Sequence, residues 1–73
     1  MNNVQKLRKL YRLTQLAVSE KINHPKPLYA AFEHERYILP YPKLLLLAQL
    51  YNVSPSYLIE DMPEEIKERY KQM

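Results

Sequence analysis

Apolar residues recur along this chain at intervals of three and four rather than two, the period of helices and not of strands. In "NVQKLRKLYR" Val4, Leu7, Leu10 and Tyr11 share a face while Lys6, Lys9 and Arg12 lie outside it. That predicts a first helix over residues 3–12, with Asn2 or Asn3 as its cap. Thr14 reads as the cap of a second helix through "QLAVSEKI", which sends Leu13, Ala17, Val18 and Ile22 inward. Asn23 then stops it, because asparagine tolerates the left-handed conformation that glycine would otherwise supply. A third short helix is predicted from Pro27 to His34, with Leu28, Tyr29 and Phe32 as apolar contacts. Its start is placed at Pro27 because Lys26 precedes a proline and is disfavoured in helical geometry.

"RYILPYP" reads as a loop, since Pro40 and Pro42 bias the residues before them away from the helix. The fourth helix, about 41–51, is apolar almost all round, which predicts a central helix buried on most sides. Asn52 ends it. Ser54 caps a fifth helix with Pro55 at its first position, where a missing N–H costs nothing. After Pro63 a tail helix begins, acidic in its first turn and basic in its last, as the helix dipole favours. Glu64–Lys67 and Glu65–Arg69 are spaced to pair along it. The pattern thus predicts an all-α fold: five short helices in residues 1–61 and a tail helix in 62–73.

Composition narrows the chemistry. Seventy-three residues hold one small core, and a chain of this size hides only about 60% of its unfolded surface. There is no cysteine, so no disulfide and no thiolate metal site, and His24 and His34 are the only histidines. With no glycine, a phosphate-cradling loop is excluded, and no nucleophile–base pair is suggested. Neither an enzyme nor a cofactor or metal is expected. The longest apolar run, "LLLLA" at 44–48, is too short to span a bilayer and no signal-peptide core precedes it, so a cytoplasmic protein with no membrane partner is expected.

Charge adds a direction. Residues 1–45 carry eight basic against three acidic groups, whereas residues 46–73 carry three against five. A basic body suits a polyanion. The seven tyrosines are not read as a platform for stacking single strands, because Tyr11, Tyr29 and Tyr51 fall on core-facing phases.

Two short helices joined by a tight connection, Thr14–Ile22 and Pro27–His34, form a helix-turn-helix candidate. Here "LRKLYRLTQ", "EKIN", "FE" and "LLLLAQLYNVSPSYLI" fall into one register, over about residues 4–60. In that register the sequence resembles the lambda-repressor-like (XRE, Cro/CI-type) helix-turn-helix family. The resemblance implies five helices, the third laid in the major groove of double-stranded DNA, and a dimeric, sequence-specific transcriptional regulator. A repressor of phage or mobile-element origin is the form it suggests. By the same resemblance Arg8 and Glu33 pair across the core, and Gln15 holds a phosphate or an adjacent side chain. Arg36 and Lys43 lie where the family touches the DNA backbone, and Lys26, Pro27, Leu28 and Ala31 occupy the base-reading positions.

The sequence also departs from the family. Prolines and apolar residues replace polar ones on the third helix, where Lys26 alone can contact a guanine edge in bidentate fashion. His24 replaces an aliphatic residue and reads as a capping or surface histidine. Glu35 replaces a glycine and sets a negative charge near the expected phosphates. These features favour an alternative, the same fold used as a protein-binding module such as an antirepressor, an antitoxin-like partner or an inhibitor. For a homodimer, Tyr57, Leu58, Ile66, Tyr70 and Met73 are the candidate contacts, although the tail stripe Ile66, Tyr70, Met73 could equally fold onto its own core.

Overall fold

A computed structural model describes all of residues 1–73. Six helices form it: α1 (Asn3–Leu10), α2 (Gln15–Lys21), α3 (Lys26–Glu33), α4 (Tyr41–Tyr51), α5 (Pro55–Ile59) and α6 (Glu64–Lys71). Three carry side-chain caps where the sequence places them. Asn2 accepts from the Gln5 N–H at 3.0 Å, Thr14 from Ala17 at 3.0 Å and Ser54 from Tyr57 at 3.3 Å.

The other three helices open on proline with no side-chain cap. Pro25-Lys26-Pro27 and Pro40-Tyr41-Pro42 are one device used twice. The first proline is extended (φ −56°, ψ 134° at Pro25; φ −53°, ψ 141° at Pro40). Its carbonyl accepts two N–H groups, from Leu28 and Tyr29 at 3.1 and 3.0 Å, or from Lys43 and Leu44 at 2.9 and 3.0 Å. The second proline falls where a helical N–H has no acceptor anyway. α3 therefore begins at Lys26, not at Pro27 as expected: the pre-proline clash touches one residue, and the closed first turn outweighs it.

Helices α1 to α4 all end in one motif. A residue at φ between 54° and 62° follows each: Arg12, Asn23, Glu35 and Asn52. At each, the next N–H reaches back five residues: Leu13 to Arg8, His24 to Ser19, Arg36 to Ala31 and Val53 to Ala48, at 2.9–3.0 Å. The two asparagines are the stops read from sequence. Arg12 and Glu35 adopt the same left-handed geometry without that tolerance, so α1 closes at Leu10 rather than running to residue 12.

α2 packs on α3, α1 on α5, and α5 on α4, around Val4, Val18, Ile22, Tyr29, Phe32, Leu39, Leu44, Leu47, Tyr51 and Leu58. Some apolar positions behave differently from expectation. Of the predicted first-helix face, Val4 is buried and Leu7 packs against the core, whereas Leu10 and Tyr11 are 73% and 46% exposed. α4 is not buried on most sides: Leu44, Leu47, Ala48 and Tyr51 face inward, whereas Tyr41, Leu45 and Leu46 are 40%, 37% and 41% exposed. α6 docks Ile66 and Tyr70 into the core, and the Tyr70 hydroxyl donates to the Leu39 carbonyl at 2.7 Å. Leu58, Ile66 and Tyr70 are therefore withdrawn from any dimer contact, while Tyr57 and Met73 stay exposed. Along α6 the Glu64–Lys67 pair forms at 3.4 Å, but the second pair is Glu68–Lys71, also at 3.4 Å, in place of Glu65–Arg69. No helix is long and apolar enough to cross a membrane.

Candidate nucleic-acid interface

The base of the site is a buried polar network centred on Glu33, the last residue of α3. Its side chain is 1% exposed, and the Arg8 guanidinium grips it with two donors, Nε to Oε2 at 2.6 Å and Nη2 to Oε1 at 3.2 Å. Gln15 Nε2 donates to Oε1 at 3.0 Å, and the Tyr29 hydroxyl donates to Oε2 at 2.5 Å. Burial pushes the Glu33 carboxyl up, but the hydrogen bonds from Arg8, Tyr29 and Gln15 together outweigh it and hold the group below the usual carboxylate range. The Glu33 hydrogen bonds raise Arg8 in turn, against its own desolvation. Burial, with the bond to Glu33, drives the Tyr29 hydroxyl well above the ordinary tyrosine range.

This network fixes the pose of α3. Arg8 also donates to the Leu13 carbonyl at 3.0 Å, tying in the turn before α2. Asn2 Nδ2 and Gln5 Nε2 both donate to the Glu33 backbone carbonyl, at 2.9 and 3.0 Å, which completes the end of α3 from α1. The Arg8–Glu33 pair is thus formed, and Gln15 holds an adjacent side chain, the Glu33 carboxylate. Asn2, Gln5 and Tyr29 are members that the sequence reading missed. Tyr29 and Glu33 are i and i+4 on one helix, a spacing that signals such a contact.

With Tyr29, Phe32 and Glu33 turned inward, the outer arc of α3 holds Lys26, Pro27 and Leu28, all exposed, with Ala30 and Ala31 half-buried between them. Lys26 stands at the first turn and Arg36 just beyond the last. Lys43, half-buried, sits in the first turn of α4. None of the three forms an ion pair, and of the eight basic residues in 1–45 only Arg8 does.

Glu35 has two structural tasks. It holds the left-handed position after α3, and its carboxylate accepts from Asn2 Nδ2 at 3.2 Å. Arg36 shares an open cleft with Glu35, Glu65 and Arg69. His24, in the turn between α2 and α3, is hydrogen-bonded through Nε2 to the Tyr37 hydroxyl at 3.0 Å, with ring centroids 5.9 Å apart. It thereby pins that turn to the loop after α3.

Two helices in a tight turn, the second presenting an open outer arc, define a helix-turn-helix domain. The chain belongs to that family, in its lambda-repressor-like (XRE) form: the family model for the helix-turn-helix domain matches residues 2–61. It is similar to the uncharacterised HTH-type transcriptional regulator YobD of Bacillus subtilis (strain 168), 38% identical over 68 residues. The match takes in 90% of this chain and 61% of YobD, so the chain spans about three-fifths of that relative's length. No solved structure matches the chain.

Proposed function

We propose that this chain is the DNA-reading domain of a transcriptional repressor, which lays α3 in the major groove of duplex DNA. One observation carries the reading: the outer arc of α3 is unobstructed and bracketed by Lys26 and Arg36, neither spent on a protein carboxylate. In this reading Lys26 meets a base edge, Arg36 and Lys43 meet phosphates, and the second amide hydrogen of Gln15 meets another. The membership in the family and the likeness to YobD support the same reading. Residues 1–61 form the reading domain, with 62–73 as its tail. A single short helix reads few bases, so the active form is a homodimer on two half-sites. Tyr41, Leu45 and Leu46 on the outer face of α4 are its contact, since they are exposed and apolar beside Lys43.

A salt series on random duplex DNA tests this. A dimer placing Arg36 and Lys43 of each protomer on phosphates gives a log–log slope of about −3.5. Micromolar protein that leaves duplex DNA free in about 50 mM salt contradicts it. The second reading, a protein-binding module, is favoured by the proline-rich, apolar character of the α3 arc, and that negative result would select it.

A further inference from the structure

We infer that the α3 arc recognises thymine through its C5-methyl group, so that the central contacts of the half-site are thymines. The inference rests on the duplex-DNA reading and deepens it. A census of hydrogen-bonding groups on the arc makes the case. Pro27 has neither a backbone N–H nor a polar side chain, and Leu28, Ala30 and Ala31 carry no polar side-chain atoms. Along residues 26–34, Lys26 and His34 are the exposed side-chain donors, and they stand at opposite ends of the helix, about 12 Å apart at 1.5 Å per residue. A purine edge or a cytosine amino group set against the middle of the arc would lose its water and gain no partner. Thymine alone offers an apolar group in the major groove.

Shape agrees with chemistry. Ala30 and Ala31 are half-buried and short, so the helix backbone can approach the base edges closely. Leu28, 38% exposed at the flank, supplies the larger apolar surface. Lys26 at the N-terminal end places a single donor site at one edge of the reading frame, which suits guanine there. Charge complementarity holds the surface to duplex DNA: the arc is apolar, but Lys26 and Arg36 bracket it and neither is in an ion pair.

The test replaces single thymines by deoxyuridine, which removes the methyl group and keeps base pairing. A half-site is first selected from a random duplex library, and its affinity is compared with random duplex across a salt series. Each contacted thymine should then lose about four-fold in affinity on substitution, and two together about sixteen-fold. In Leu28→Ala the deoxyuridine effect at one position should shrink toward unity while the salt slope is kept. Sequence-specific binding that stays within two-fold for every deoxyuridine substitution overturns the inference and leaves the duplex reading intact. A selected site without thymine at its centre does the same. Absence of binding to any duplex at low salt overturns both.

Discussion

Glu33 is the only acidic side chain buried in the protein, and five side chains are organised around it: Arg8, Gln15 and Tyr29 on its carboxylate, Asn2 and Gln5 on its backbone carbonyl. Removing one member of such a pair leaves the other charge without compensation. Glu33→Gln should therefore cost about 3 kcal/mol, the lower end for buried pairs because Arg8 retains some access to water. In a domain of this size that is a large part of the whole, readable as a fall in the urea midpoint. The folded Glu33 carboxyl lies below its unfolded value. Its stabilisation is thus complete above the ordinary glutamate value of about 4.3 and is lost as pH falls through the lower, folded one. Urea melts at pH 7 and pH 3 should show a smaller acid loss in Glu33→Gln than in the parent.

Two neighbouring tyrosines should behave oppositely. Tyr51 has a buried hydroxyl with no hydrogen-bond partner, and burial pushes it up to about 12. Tyr51→Phe should be neutral or stabilising by up to about 1 kcal/mol, whereas Tyr29→Phe, which strips a donor from a carboxylate, should cost about 1.5–3 kcal/mol. Equal losses in thermal melts of the two variants would contradict this account of the network. For both tyrosines the folded value is raised, so their contribution is present below the ordinary tyrosine value of about 10 and is lost at higher pH.

At the scale of elements, most helix limits were legible because the sequence states them chemically. Asn2, Thr14 and Ser54 are capping residues, and Asn23 and Asn52 accept the left-handed region. What could not be read has a physical cause in each case. Nothing in an arginine or a glutamate announces a left-handed position, so the ends at Arg12 and Glu35 emerge only from the backbone. An almost wholly apolar α4 has no phase, so its exposed arc at Tyr41, Leu45 and Leu46 is invisible in the pattern. The start at Lys26 is hidden in the sequence because the pre-proline clash is a local signal, whereas the two hydrogen bonds to the Pro25 carbonyl that outweigh it form only once the turn closes. The Arg8–Glu33 pair follows from the family resemblance, but the part played by Asn2 and Gln5 needs the three-dimensional approach of α1 to the end of α3. The left-handed Arg12 makes no ion pair, so Arg12→Gly should stabilise by about 1 kcal/mol, seen as a higher melting temperature. A lowered one would show that the arginine side chain supports the turn.

Across the whole molecule, the helix-turn-helix unit is held from behind by one charged network and leaves its outer arc apolar between two free cations. The dimer proposed through α4 predicts that Leu46→Lys, at a position already 41% exposed, yields a folded monomer by sedimentation. An unchanged dimer would move the contact elsewhere, with Tyr57 and Met73 the remaining exposed candidates. The central claim is that α3 enters duplex DNA. Titrating duplex into 15N-labelled protein at low salt tests it most directly. Amide shifts should concentrate on Lys26, Leu28 to Ala31, Arg36 and Lys43, with the α1–α5 face unmoved. Shifts confined to α4 and α5, or none at all, would contradict it.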